Sequence, residues 1–115
     1  MTAIYPLSLL QRNDEDVLLQ FSSAGRPFPL DKAMTVELYI KPAQTVADDD
    51  TRTLKLTSEA GEIEIVDRGT GACIAHIPAS ATAAAGTFWY HVDAVGAGGR
   101  PRKTGARGPL IVTAT

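Results

Sequence analysis

Hydrophobic residues recur at every second position in short runs along the chain, and Gly, Pro, Asp and Ser separate the runs, the pattern of strands joined by turns. In Asp16–Phe21, Val17, Leu19 and Phe21 share one face, and Ser22-Ser23-Ala24-Gly25-Arg26-Pro27 then supplies turn chemistry. Val36, Leu38 and Ile40 alternate with Glu37, Tyr39 and Lys41 until Pro42, which has no N–H to give to a ladder. Thr53–Ser58 places Leu54 and Leu56 on one side, and Ile63 and Ile65 repeat the pattern after Glu59-Ala60-Gly61, so these two runs read as a hairpin. After Asp67-Arg68-Gly69-Thr70-Gly71, the run Ala72–Ile77 carries Cys73, Ala75 and Ile77 on one face and Ile74 on the other. It is expected to be a strand covered on both sides.

Helical signal is confined to Pro78–Ala85, where Ala81, Ala83, Ala84 and Ala85 predict one short helical turn at about 79–85, with Gly86 as a left-handed C-cap. Thr87–Val95 sets Phe88, Tyr90 and Val92 against Trp89, His91 and Asp93, an aromatic-rich central strand. Pro109–Thr115, with Leu110, Val112 and Ala114 on one side, closes the chain as a strand, and Ile4–Leu10 reads as an edge strand because Pro6 is tolerated only there. Two stretches read as loops. Ala43–Arg52, with Asp48, Asp49 and Asp50 together, is too charged to pack, and Gly96–Gly108 sets Arg100, Arg102, Lys103 and Arg107 among five glycines. Seven or eight strands with turn signals about 8–12 residues apart predict an all-β fold, one antiparallel β-sandwich or barrel over residues 1–115. Crossover helices for a βαβ arrangement are missing from the pattern.

Composition agrees with one self-sufficient domain. The 115 residues are 44% hydrophobic and 21% charged, enough to bury about two-thirds of the unfolded chain's surface without staples. A net charge of -2 leaves no overall footprint for nucleic acid or anionic lipid, so neither is an expected partner. The single cysteine, Cys73, allows no intrachain disulfide and no cysteine-type metal cluster. Met1–Leu10 has no basic residue and is broken by Pro6 and Ser8, so an export signal is not expected, and no stretch reaches the roughly 20 apolar residues that cross a bilayer.

Candidate chemistry is sparse. His91 and Asp93 project on one strand face, but a zinc site needs further ligands, and His76 stands alone in its strand. Both histidines read as ordinary strand residues. Cys73 in an apolar strand reads as a buried, inert thiol. The adjacent acids Asp48, Asp49 and Asp50 lack the alternating spacing of a calcium loop and read as a solvated loop tip. In the basic segment, Lys103-Thr104 has no Gly immediately before it and a strand after it, so the phosphate-loop pattern fails. What remains is a flexible basic loop suited to an acidic surface. No paired carboxylates and no Ser/His/Asp elbow appear, so enzymatic activity and a cofactor are not expected.

Taken in order, Gly61-Glu62-Ile63-Glu64-Ile65-Val66-Asp67, Cys73-Ile74-Ala75-His76-Ile77-Pro78, Ala79–Ala85 and Gly86-Thr87-Phe88-Trp89-Tyr90-His91-Val92-Asp93 resemble the immunoglobulin-like β-sandwich structural proteins of tailed bacteriophages, minor tail and baseplate-associated proteins among them. Leu9–Asp16, Gly25-Arg26-Pro27, Val36–Pro42 and Gly108–Val112 are similar too, so the likeness runs along almost the whole chain. The resemblance implies an immunoglobulin-like sandwich and a non-enzymatic minor tail, tail-tip or baseplate component found in the virion and made in the host cytoplasm. Its implied partners are other virion proteins and copies of itself in a symmetric ring or array. A capsid decoration or head-fibre protein would use the same sandwich. A carbohydrate- or receptor-binding module would use Trp89, Tyr90 and Tyr39, and a small enzyme would need Cys73 or His91 and ranks last. Residues 1–50 hold eight acidic and four basic residues, and the remainder five acidic and seven basic, an asymmetry that steers contacts between copies. The candidate interaction residues are therefore Arg100, Arg102, Lys103 and Arg107 on the basic side and Asp48, Asp49 and Asp50 on the acidic side.

Overall fold

A computed structural model describes residues 7–23, 26–27, 30, 34–43, 45–96 and 102–114; at 22–23, 26–27 and 102–106 it describes the backbone alone. The strands are β1 (Leu7–Leu10), β2 (Glu15–Gln20), β3 (Ser22–Ser23), β4 (Arg26–Pro27), β5 (Thr35–Lys41), β6 (Leu54–Thr57), β7 (Ile63–Asp67), β8 (Ala72–Ile77), β9 (Gly86–Val95) and β10 (Arg102–Thr113). One 3-10 turn, Ala79–Thr82, lies between β8 and β9.

Two sheets face each other. The larger has the order β1-β10-β9-β5-β6 and the smaller β2-β8-β7, while β3 and β4 form a short separate ribbon. The chain passes between sheets at β1–β2, β6–β7 and β8–β9 and stays within one sheet at β5–β6, β7–β8 and β9–β10. All pairs are antiparallel except β1, which runs parallel to β10 with Leu7 opposite Leu110. That order and those crossings are the plan of an immunoglobulin-like β-sandwich.

Period-two alternation builds the core. Val36, Leu38 and Ile40 from β5, Tyr90, Val92 and Ala94 from β9, and Leu110 and Val112 from β10 meet Leu19, Phe21, Ile63, Cys73, Ala75 and Ile77 from the other sheet. β9 lies at the centre of its sheet, as its aromatic run predicts. β1 stands at an edge, as the N-terminal pattern predicts, with Ile4–Pro6 outside the described residues.

Four expectations need correction. The runs at Leu54–Thr57 and Ile63–Asp67 are not a hairpin: β6 pairs with β5 and β7 with β8, so the intervening turn carries the chain from one sheet to the other. Ser58 makes that crossing possible, because its Oγ accepts the Val36 N–H at 2.9 Å and its own N–H donates to the Val36 carbonyl. The strand β8 is covered on its inner face only; Ile74 is half-buried and His76 exposed on the other. Gly86 opens β9 with φ 147 rather than capping a helix, because the 3-10 turn already ends at Thr82 with Ala83 in the right-handed region. Most of the expected loop Gly96–Gly108 is strand: β10 begins at Arg102 and pairs with β9 from Arg102 opposite Val95 onward, with an irregularity between Thr104 and Ala106 that absorbs Gly105.

Candidate interaction surfaces

The outer face of the five-stranded sheet carries the densest polar cluster described. Alternation turns Glu37, Tyr39 and Lys41 away from the core, and it does the same for Trp89, His91 and Asp93 on β9. Register then sets Glu37 opposite Asp93, Tyr39 opposite both His91 and Lys55, and His91 opposite Arg107. The Tyr39 and His91 rings stack with centroids 4.7 Å apart. The Tyr39 hydroxyl donates to Glu37 Oε1 at 2.6 Å, and Lys55 Nζ lies 5.6 Å above the Tyr39 ring and 3.4 Å from Glu37. Partial burial opposes the charge on Lys55, but attraction to Tyr39 and Glu37 outweighs it and raises the lysine's pKa.

The acidic loop folds onto this face. Asp48 pairs with Lys41, and its Oδ2 lies 3.6 Å from His91 Nε2, which is also 3.7 Å from Asp93. Val46, within the loop, is buried. The segment is a mostly exposed loop, as expected, but it is fastened to the sheet at one point, where Asp48 meets Lys41 and His91. Asp50 accepts from the Arg52 backbone N–H, Nε and Nη2 at 2.8, 3.0 and 3.1 Å, and the Arg52 hydrogen bonds hold its carboxyl down to about 2. Asp49 is exposed. The three acids of the run thus face separate surroundings.

The basic candidates are spread along a strand. Arg107 is exposed on β10, Arg102 and Lys103 occupy β10 opposite Val95 and Ala94, and Arg100 lies outside the described residues. Of the aromatic residues, Tyr39 and Tyr90 are buried and Trp89 is half-buried, facing outward between Lys41 and Pro109. The stacking surface expected for a sugar is reduced to Trp89.

Cys73 faces the interior from β8, whereas His91 faces outward from the other sheet, so the two do not meet. His76 Nδ1 stands 2.7 Å from Asp16 Oδ1 on the exposed face of the three-stranded sheet. Among the described residues, no group of three or more His, Cys, Asp or Glu is placed to hold a metal ion, and no helix is long and apolar enough to cross a membrane. Burial pushes the Cys73 thiol up to about 11 from 9.0, with Arg68 pulling slightly the other way. The folded thiol therefore stays protonated while the unfolded chain ionises, so this stabilisation is full below pH 9 and disappears as pH rises toward 11. It amounts to about 2–3 kcal/mol. Urea midpoints should fall between pH 8.5 and pH 11, and less so in Cys73→Ala.

A cluster missed in the sequence pins the opening of the chain. Thr82 is buried because its hydroxyl donates to the Asn13 carbonyl at 3.1 Å, Ala79 N–H donates to Asp14 Oδ1 at 2.6 Å, and Arg12 N–H donates to the Thr82 carbonyl at 2.9 Å. The turn after β1 and the 3-10 segment thus form one unit. The polar residues Asn13, Asp14 and Thr82 were its signal, but they lie far apart in sequence.

A scan against protein-family models finds no match for this chain, and a search of curated proteins finds none either.

Proposed function

We propose that the chain is a non-enzymatic virion structural protein of a tailed phage or prophage, a minor tail, tail-tip or baseplate component that acts through protein–protein contacts in a symmetric assembly. The observation that carries this reading is the order and spacing of the motifs from Gly61 to Asp93, which the fold lays out as β7, β8, the 3-10 turn and β9 of an immunoglobulin-like sandwich. Its strongest polar groups are engaged in fastening its own loops, which suits a rigid packing unit. A sandwich supports many roles, so the fold alone does not select this one.

Immuno-electron microscopy of particles from the source culture, with antibody raised against the purified chain, tests the proposal. Label at one place on the tail supports it; label over the head moves the protein to capsid decoration; intact particles without label overturn it. A second test uses charge. Arg102→Glu, Lys103→Glu and Arg107→Glu together should leave cooperative folding intact and should reduce incorporation into particles, if this strand meets an acidic neighbour. Full incorporation would remove this strand from the interface.

A further inference from the structure

Among the described residues, the edge strands of each sheet have a side with no strand partner, and folded proteins blunt such edges with short strands, bulges or buried charges. Here β1 and β6 have four residues each, and β7 is interrupted between Ile65 and Asp67. The six-residue β2 differs: its register with β8 is unbroken from Glu15 opposite Ile77 to Gln20 opposite Ala72, and among the described residues no strand pairs with its other side. At its middle stands Leu18, 72% exposed.

The direction of the free groups follows from one hydrogen bond. Phe21 N–H donates to the Gly71 carbonyl at 3.0 Å, so Phe21 faces the β8 side. Alternate residues point the same way, which directs Val17 and Leu19 toward β8 and leaves the N–H and C=O groups of Asp16, Leu18 and Gln20 pointing to the open side. Charge is equally one-sided. Asp14, Glu15 and Asp16 crowd the start of β2, and Val17–Ser23 carries no charge. A parallel neighbour of the same sequence would stack acid on acid, whereas an antiparallel one sets each acidic end beside an uncharged end.

We propose that β2 is a docking edge for a second copy of this chain, the two β2 strands pairing antiparallel about Leu18 to join the two smaller sheets into one. This rests on the reading that the protein works through contacts between subunits. In that register Leu18 faces Leu18 of the second copy, Asp16 faces its Gln20, and Val17 faces its Leu19. The outward backbone groups then meet as hydrogen-bonded pairs, and the contact is isologous about a two-fold axis. A register shifted by one residue would set outward groups of one strand against inward groups of the other and lose the ladder.

Light scattering over a concentration series should show the mass of the chain doubling. Leu18→Lys sets two cations face to face on an exposed position and should hold the chain monomeric at every concentration, with the Tm that the wild type shows when dilute enough to be monomeric. Leu18→Pro removes an N–H that β8 does not use and should do the same; if it does not fold, Leu18→Lys decides. In mild oxidant Leu18→Cys should give a covalent dimer, because paired Cα atoms about 5.5 Å apart are within disulfide reach, and Asp16→Cys should not. A wild-type chain that stays monomeric, a dimer indifferent to Leu18→Lys, or equal cross-linking at both positions would each overturn the proposal. Tail labelling with a monomeric chain would overturn the edge pairing and leave the virion reading standing; a Leu18-dependent dimer with unlabelled particles would do the reverse.

Discussion

Leu38→Asp abolishes the folded state. Leu38 is 1% exposed at the middle of β5, with Leu56 of β6 opposite it on one side and Val92 of β9 on the other, both equally buried. A carboxylate there faces only apolar side chains across the sandwich, and burying an unpaired charge costs several kcal/mol even after the group protonates or water enters. The lost leucine packing adds about 2–5 kcal/mol, against a total stability of about 5–15 kcal/mol for a domain. Circular dichroism should therefore show no cooperative thermal transition, and amide resonances should collapse to the unfolded range. Leu38→Ala, which removes the packing without adding a charge, should fold with a lowered Tm. A Leu38→Asp variant that melts at the wild-type temperature would mean that β5 presents its other face to the core.

That prediction uses a feature legible in the sequence, because alternation alone assigns Val36, Leu38 and Ile40 to one face. Which strand lies beside which is another matter. The runs ending at Thr57 and starting at Ile63 have the same alternation whether they pair with each other or with β5 and β8, whose register partners lie 14 to 20 and 5 to 12 residues away in sequence. Gly105 and Gly108 argued for a loop, because glycine weakens an isolated strand. In the fold β10 is ordered by β9 along its length and by β1 near its end, and that pairing overrides the local preference. The attachment of the acidic loop to the sheet was hidden for a related reason. Charge count says that Asp48 avoids an apolar core, and says nothing of Lys41 and His91 waiting on a sheet face. Of the candidate interaction residues, type and exposure were legible, but the sorting of Asp48, Asp49 and Asp50 into different surroundings depends on register.

Phe21→Ala should destabilise the domain by about 3–5 kcal/mol, the usual cost of emptying a buried phenylalanine site. Phe21 is 1% exposed, just beyond the end of β2, and its N–H is bonded to the carbonyl of Gly71, a residue in the left-handed region at φ 78 that is itself buried. Alanine keeps the N–H and therefore the bond, so the loss isolates side-chain packing between the sheets. Leu18→Ala, three residues earlier, provides the contrast. Leu18 points to solvent in the single chain, and its truncation should change stability by no more than about 0.5 kcal/mol when measured at a concentration where the protein is monomeric. Urea unfolding of the two variants at equal, low concentration separates the faces of β2: a large loss at position 21 beside a small one at 18 places the core on the Val17, Leu19 and Phe21 side. Equal losses would contradict the orientation of β2, and with it the outward aim of Leu18 on which edge pairing depends.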